Sequence, residues 1–156
     1  MLKPTLLPCR FLPIAIALSL VLPEQTQARF LRSSSETVEV CPDLLKASQI
    51  AEANARPRSI KRCWRYVKRA LVEANVVDSY PEGIAAKNAG SELTRHFGFT
   101  KLAISKPEDA PVGAILVYGG KGYGHVEFKT EDGYVSDFKA SHPSRRPLTG
   151  VYIKEI

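Results

Sequence analysis

The chain lacks an apolar run long enough to cross a membrane comfortably. Its longest such run, Phe11–Leu22, has 12 residues, whereas a membrane-spanning helix needs about 20. Internal repeats and low-complexity tracts are also absent. With 156 residues, the chain is long enough for one domain with a modest core. We therefore expect a single domain without a stable membrane anchor.

The sequence also lacks the patterns that indicate nucleic-acid or metal binding. Its net charge is +6, but the basic residues are not interleaved with aromatic residues and form no known reading motif. Cys41, His96 and His142 do not have the spacing of metal ligands. We expect no nucleic acid, no metal and no cofactor. The positive charge suits an anionic envelope polymer, although a solvated basic face would account for it equally well.

The N-terminus has the layout of a secretory signal peptide. Lys3 and Arg10 precede the apolar run, Pro23 ends it, and Thr26-Gln27-Ala28 supplies small residues near a cleavage point. We predict a signal peptide over 1–28, a flexible lead-in over 29–40 and a folded domain over 41–156. The protein is then exported, to the periplasm or beyond the cell, and acts as a monomer.

Export affects how the cysteines are interpreted. Cleavage of the signal peptide removes Cys9 and leaves Cys41 and Cys63. Two cysteines in an oxidising compartment can form a disulfide. A structural disulfide and a reactive thiol therefore both remain open for Cys63.

A predicted helix over Arg58–Val77 carries Cys63 near its start. The apolar residues recur at helical spacing along one stripe: Ile60, Trp64, Val67, Leu71 and Ala74. Ser59 is the expected N-cap, which places Cys63 in the first turn. The positive end of the helix, with three basic neighbours (Lys61, Arg62 and Arg65), favours a thiolate. Cys63 is thus a candidate nucleophile.

The remaining pattern predicts helices first and strands afterwards. Further helices are expected at Asp43–Ala53 and Ile84–Phe97, and strands at Ala114–Tyr118, His125–Thr130, Tyr134–Phe138 and Val151–Ile153. Lys139–Gly150 is expected to be a basic loop. Helices followed by an antiparallel sheet indicate an α+β fold.

His125, at the start of a predicted strand, is the candidate base for Cys63. A three-residue loop at Glu131-Asp132-Gly133 would place Asp137 diagonal to His125 on one face of the sheet, within reach of a hydrogen bond. A two-residue loop would instead turn Asp137 to the other face. The glycine in third place favours the first register, with Glu127 as the substitute partner of His125.

Three segments resemble the CHAP family of cysteine, histidine-dependent amidohydrolases and peptidases. Cys63–Val67 resembles its cysteine motif, Pro111–Tyr118 its P-x-G-D-I strand, and Gly124–Phe128 its G-H-V strand. The chain is also similar to NlpC-like cell-wall peptidases, in which a third polar residue follows on the next strand. Asp137 occupies that place. The segments occur in the family's order over most of the domain.

The resemblance implies a papain-like α+β fold and an exported hydrolase of peptidoglycan amide bonds, an endopeptidase or an amidase. Cys63, His125 and Asp137 would be catalytic, and the substrate-binding candidates are Trp64, Tyr123, Glu127 and Arg145. Arg146, beside Arg145, is a further candidate for binding substrate carboxylates. The alternative is a non-catalytic envelope-binding or inhibitor protein with a Cys41–Cys63 disulfide.

Overall fold

The structure is a computed structural model that describes residues 39–155. The predicted signal peptide over 1–28 and most of the predicted lead-in, residues 29–38, lie outside the described residues. Within the described part, no helix has the length and apolar character needed to cross a bilayer.

Within residues 39–155, three α-helices precede or flank the sheet: α1 (Pro42–Asn54), α2 (Cys63–Glu73) and α3 (Ala89–His96). Two short 3-10 helices lie at Ala86–Asn88 and Pro107–Asp109. The prediction for the first helix is confirmed, with Pro42 in the first turn. Gly98, at a φ of +68°, follows the end of α3, where a left-handed residue terminates a helix without strain.

The second helix begins later than predicted. Its N-cap is Arg62 and its first residue is Cys63, so the expected N-cap at Ser59 is wrong. The side chain of Asp137 accounts for the difference, because it holds residues 59–62 in a non-helical loop. Ile60, expected in the buried stripe, is consequently 47% exposed, whereas the other four residues of that stripe are buried.

In the part of the chain that the structure describes, six strands form one antiparallel sheet in the order β1-β6-β2-β3-β4-β5. Their bounds are β1 (Thr100–Leu102), β2 (Ile115–Tyr118), β3 (His125–Thr130), β4 (Gly133–Val135), β5 (Lys139–Ala140) and β6 (Leu148–Ile153). The predicted α+β class, with helices packed on an antiparallel sheet, is confirmed. The predicted loop over 139–150 contains β5 and the start of β6.

The register of β3 and β4 differs from the favoured one. Thr130 pairs with Gly133 and Phe128 with Val135, so the connection has two residues, Glu131 and Asp132. The three-residue loop is therefore wrong. Gly133 lies within the strand at a φ of +147°, where a Cβ would be 2.4 Å from the carbonyl oxygen of Ala140. This close approach to β5, and not a bulge, accounts for the glycine.

The core lies between the sheet and the first two helices. It contains fully buried aliphatic and aromatic side chains from α1, α2, β2 and β3, among them Leu44, Val67, Leu71, Ile115 and Phe128. Every residue of β2 is buried, as expected for a continuous apolar run in a central strand. Because α2 packs against β3, the first residue of α2 and the first residue of β3 lie close together at one end of this core.

Candidate active site

Cys63 and His125 are brought together by the packing of α2 on β3. Cys63 is the first residue of α2 and His125 the first residue of β3. Both are partly buried, and the side chain of His125 is 16% exposed. The neighbouring Cys63 is one of the groups that raise the pKa of His125, as expected for side chains that lie next to each other. The structure thus pairs the two residues that the sequence singled out.

Glu127 is the carboxylate that contacts the imidazole. Its Oε2 atom lies 3.0 Å from Nε2 of His125. Its other oxygen, Oε1, accepts hydrogen bonds from the Tyr118 hydroxyl at 2.7 Å and from the backbone N–H of Ser144 at 3.1 Å. Both oxygens are therefore used, and the residue is only 3% exposed. Glu127 is fixed in place as the partner of His125, not presented to a substrate as predicted.

The surroundings of His125 favour the imidazolium form. Burial lowers the pKa of His125, but the neighbouring Cys63 and the Glu127 carboxylate, through hydrogen bonding and electrostatic attraction, raise it to about 9. A side chain with this pKa carries a proton at neutral pH. The charge lies between a thiol and a carboxylate, which is where a thiolate–imidazolium pair would form.

Tyr118 lies directly opposite His125 in the β2–β3 pair. The centroids of the two rings are 5.9 Å apart. Burial, and then the neighbouring Glu127, raise the pKa of Tyr118 far above its ordinary value. The hydroxyl therefore stays protonated and donates to Glu127.

Asp137 does not bind His125, which corrects the expected catalytic arrangement. It is fully buried, and its Oδ2 atom accepts hydrogen bonds from the backbone N–H groups of Ile60 at 2.7 Å and Arg62 at 3.0 Å. The Ser59 hydroxyl donates to the same oxygen at 3.2 Å. The two-residue β3–β4 connection is the reason, since in that register Asp137 does not share a face with His125.

The Asp137 carboxylate fixes the loop that leads into Cys63. Between the two N–H groups that it accepts lies Lys61, whose φ of +60° is left-handed. A non-glycine residue in this region is uncommon, and persists only where its surroundings impose it. Asp137 supplies that constraint and thereby sets where α2 begins.

A cleft of about 380 Å³ opens beside Cys63. Its walls carry basic and apolar side chains and no carboxylate among the described residues: Lys61, Arg62, Cys63, Trp64, Arg65, Lys68, Tyr80, Ile84, Ala86 and Tyr123. Of the predicted substrate-binding residues, Tyr123 is 71% exposed and lines the cleft. Trp64 lines it from a buried position, and the exposed Arg145 is not in its wall.

One wall of the cleft is held by hydrogen bonds to a short loop. Trp64 donates its Nε1–H to the carbonyl of Gly83 at 2.8 Å, and the Lys68 ammonium donates to the carbonyls of Pro81 and Gly83. The N–H of Gly83 in turn donates to the Glu92 carboxylate at 2.8 Å. Burial lowers the pKa of Lys68, and the charge of Glu92 opposes this. These contacts fix Tyr80 and Ile84 at the cleft.

The other polar residues considered from the sequence lie apart from this arrangement. His96 and His142 are exposed, and His142 contacts Ser141. Arg146 donates to the carbonyl of Lys121. Cys41, like Cys63, is a free thiol. Over residues 39–155, no three histidine, cysteine or acidic side chains are grouped as metal ligands.

Sequence reasoning missed two members of the site, Tyr118 and Ser144. Tyr118 could have been found from the glycine-rich hairpin at 119–124, because a hairpin there places the end of β2 opposite His125. Ser144 contributes only a backbone N–H. Almost any residue type can supply a backbone N–H, so the residue at position 144 gives no indication of this contact.

Comparisons with known proteins show similarity at the level of fold. No protein-family model matches the chain, and no curated protein matches it. Two solved structures are similar. A chain of the type VI native effector–immunity complex Tae3–Tai3 from Ralstonia pickettii is 23% identical with a TM-score of 0.58, covering 72% of this chain and 98% of its own. A chain of the selenomethionine form of that complex is 24% identical with a TM-score of 0.54, covering 69% and 99%. At these identities, the shared property is the α+β fold.

Proposed function

We propose that this protein is an exported cysteine hydrolase that cleaves an amide bond of peptidoglycan. The observation that carries the proposal is the chain of contacts from Cys63 through His125 to Glu127. A nucleophile, a proton carrier and a third group that orients the carrier are the parts that amide hydrolysis by a thiol requires. The cleft supplies access to the sulfur.

In the proposed mechanism the Cys63 thiolate attacks the carbonyl carbon of the amide. Since Nε2 of His125 faces Glu127, Nδ1 is the ring nitrogen left for the sulfur. When the C–N bond breaks, the imidazolium gives its proton to the departing amine and a thioester remains on Cys63. Water then attacks the thioester carbon while His125 takes up a proton from it. The C–S bond breaks, which releases the carboxylic acid and restores the Cys63 thiolate beside the imidazolium.

Glu127 and Asp137 act on this reaction through other groups. Glu127 holds the imidazole in orientation and stabilises its charged form. Asp137 is a positioning residue, because its contacts are with the loop before Cys63 and not with the imidazole. This replaces the Cys-His-Asp triad predicted from the sequence with Cys63, His125 and Glu127.

The helix start supplies the first donor for the oxyanion. Cys63 is the first residue of α2, and first-turn N–H groups have no partner within their own helix. Its backbone N–H therefore lies beside its own sulfur, where negative charge develops on the attacked carbonyl oxygen.

The substrate and location in this proposal rest on several observations. The signal-peptide pattern over 1–28 supports export, and the order of the CHAP-like segments supports action on the cell wall. The chain's basic charge suits an anionic envelope polymer. The fold shared with a chain of a type VI effector–immunity complex is a further, coarse support.

The proposal is tested by digestion of purified peptidoglycan with the mature protein, with products identified by mass spectrometry. We expect new amine and carboxyl ends and no cleavage of the glycan strand. Cys63→Ala and His125→Ala should abolish product formation while the circular dichroism spectrum is unchanged. His96→Ala and His142→Ala are matched controls that should retain activity, and a Cys63→Ala protein that still cleaves would refute the mechanism.

A thiol count on the mature, unreduced protein separates this function from the binding or inhibitor alternative. We expect two free thiols, at Cys41 and Cys63, as in the structure. If the count is zero, the two cysteines are paired and the hydrolase proposal fails. In that case Cys63→Ala should also lower the free energy of unfolding by about 2–5 kcal/mol, through loss of the disulfide.

A further inference from the structure

The cleft beside Cys63 combines three features that together specify a ligand: unpaired positive charge, exposed apolar surface and a rigid wall. Each is independent of the Cys63–His125 contact. They bear on which peptide the enzyme takes, and so the inference rests on the proposed function.

The positive charge in the cleft has no partner in the described part of the chain. Lys61, Arg62 and Arg65 are exposed and line the cleft around Cys63. None of the three forms an ion pair within 4.0 Å with a described carboxylate. Lys68 is different, because it is buried and its ammonium is used by two backbone carbonyls. Three cations are thus free to meet an anionic ligand.

The backbone at Lys61 argues that its side chain is there for a purpose other than folding. Its φ of +60° is the conformation that glycine adopts without strain and that other residues adopt at a cost. Asp137 holds this conformation through the N–H groups on either side. A glycine would adopt this conformation with less strain, yet the position has an exposed lysine that lines the cleft beside Cys63.

The apolar surface of the cleft is concentrated and fixed. Four large hydrophobic residues are exposed in the described part of the chain, and three of them line this cleft: Tyr80 (47% exposed), Ile84 (83%) and Tyr123 (71%). The loop that carries Tyr80 and Ile84 is pinned by Trp64 and Lys68. The hairpin that carries Tyr123 is tied down by the Lys87 N–H, which donates to the Tyr123 carbonyl at 2.9 Å. The backbone segments that present these exposed side chains are therefore held in place.

We propose that this cleft is a substrate subsite that selects a stem peptide with a free carboxylate next to the scissile amide. Lys61, Arg62 and Arg65 bind the carboxylate, while Tyr80, Ile84 and Tyr123 contact the aliphatic part of the same peptide segment. Peptides in which this carboxylate is amidated lose the charged interaction and are poor substrates. Arg145, the earlier candidate for this role, lies outside the subsite.

The test compares stem-peptide dimers that differ only in whether the carboxylates are free or amidated. We expect kcat/KM for the free form to exceed that for the amidated form by a factor of about ten or more. A hydrogen bond to a charged group contributes enough free energy to change an equilibrium or rate constant by about that factor. Lys61→Gly and Arg65→Gln should reduce this preference by lowering the rate on the free form more than the rate on the amidated form. Arg69→Gln is the matched control, because Arg69 is an exposed cation on the same helix that lines a different cavity.

Lys61→Gly gives a readout that a structural role cannot imitate. Removal of the left-handed lysine should leave the free energy of unfolding unchanged or raise it, while selectivity falls. If the variant loses stability and selectivity together, Lys61 serves the fold and is not a specificity residue.

The outcomes separate the subsite from the proposed function. Equal cleavage of free and amidated dimers overturns the subsite and leaves the hydrolase standing. If neither dimer is cleaved by folded protein with free thiols, the proposed function fails. The subsite is then judged by calorimetric titration of Cys63→Ala with the two dimers, in which equal affinity overturns it and tighter binding of the free form supports it.

Discussion

The Glu127→Gln variant is the sharpest test of the active-site arrangement. Glutamine keeps the size of the side chain, and its carbonyl oxygen can still accept from Tyr118 and Ser144. The substitution removes the negative charge 3.0 Å from Nε2 of His125 and puts an NH2 donor in place of the oxygen that accepts from the imidazolium. Any effect on the imidazole then reports the charge and the hydrogen-bond acceptor that Glu127 supplies together.

The size of the effect follows from the pKa of His125. The rise from 6.5 to about 9 corresponds to about 3 kcal/mol of preference for the imidazolium form. Glu127 supplies part of this and Cys63 the rest, and both act against burial. Loss of a neighbouring opposite charge lowers a pKa by about 1–3. We expect the pKa of His125 in Glu127→Gln to fall by that amount, into the neutral range.

Two measurements check this expectation. The first is an NMR titration of His125, made unambiguous by replacing His96 and His142 with glutamine. The second is the pH dependence of Cys63 alkylation by iodoacetamide and of hydrolysis. The alkaline limb of the hydrolysis profile should lie near 9 in the wild type and move to lower pH in the variant. Tyr118→Phe is the control that retains the carboxylate. An unchanged His125 pKa in Glu127→Gln would refute the proposed role of Glu127.

The raised pKa of His125 also implies that the free energy of unfolding depends on pH. Since folding raises the pKa of His125 above its unfolded value, the stabilising contribution is complete below about pH 6.5 and is lost as the pH rises through about 9. Denaturant titrations of the wild type should show this loss, by about 3 kcal/mol at most, across that window. In Glu127→Gln the free energy of unfolding should vary less with pH over the same range.

Three further substitutions test other parts of the site. Asp137→Asn should lower kcat more than it raises KM and slow Cys63 alkylation, because the loop loses its charged acceptor; normal kinetics would show that the loop does not depend on this charge. Gly124→Ala should destabilise the fold by about 1–3 kcal/mol, since its φ is +73° and a Cβ would lie 2.5 Å from the Tyr118 carbonyl oxygen; unaltered thermal unfolding would contradict this. Leu71→Ala should cost about 2–5 kcal/mol in denaturant titration through a core cavity, and a smaller loss would mean that the core closes around it.

Much of the fold could be predicted because the sequence carries periodic signals. The alternation of helical and strand periods placed α1, β2 and β3 within a few residues of their bounds. The helix start could not be placed from the sequence. Ser59 is a good N-cap by type, but its hydroxyl donates to Asp137, a residue 78 positions later in the chain. The contact with Asp137 outweighs the local N-cap propensity of Ser59, and no local sequence pattern reveals such a long-range contact.

The candidate site was predictable to a similar extent. The glycine turn before His125 and the cysteine at the predicted helix start led to the pair that the structure brings together. The choice of its carboxylate depended on one residue of register, which decides the face of every side chain that follows. Gly133 favoured a three-residue loop, but the packing of β5 against it required a glycine for a different reason.

The proposed catalytic groups come from the two halves of the polypeptide, and the contacts of Asp137 and His125 join the two halves. The nucleophile is in the first half, while the groups that position and activate it follow 62 or more residues later in the sequence. A fragment that ends before β3 has a cysteine with neither an imidazole nor a fixed loop, and a fragment that begins after α2 has no sulfur. The surroundings of Cys63 are therefore complete only once the sheet has closed, and a hydrolase of the kind proposed would be inactive until then.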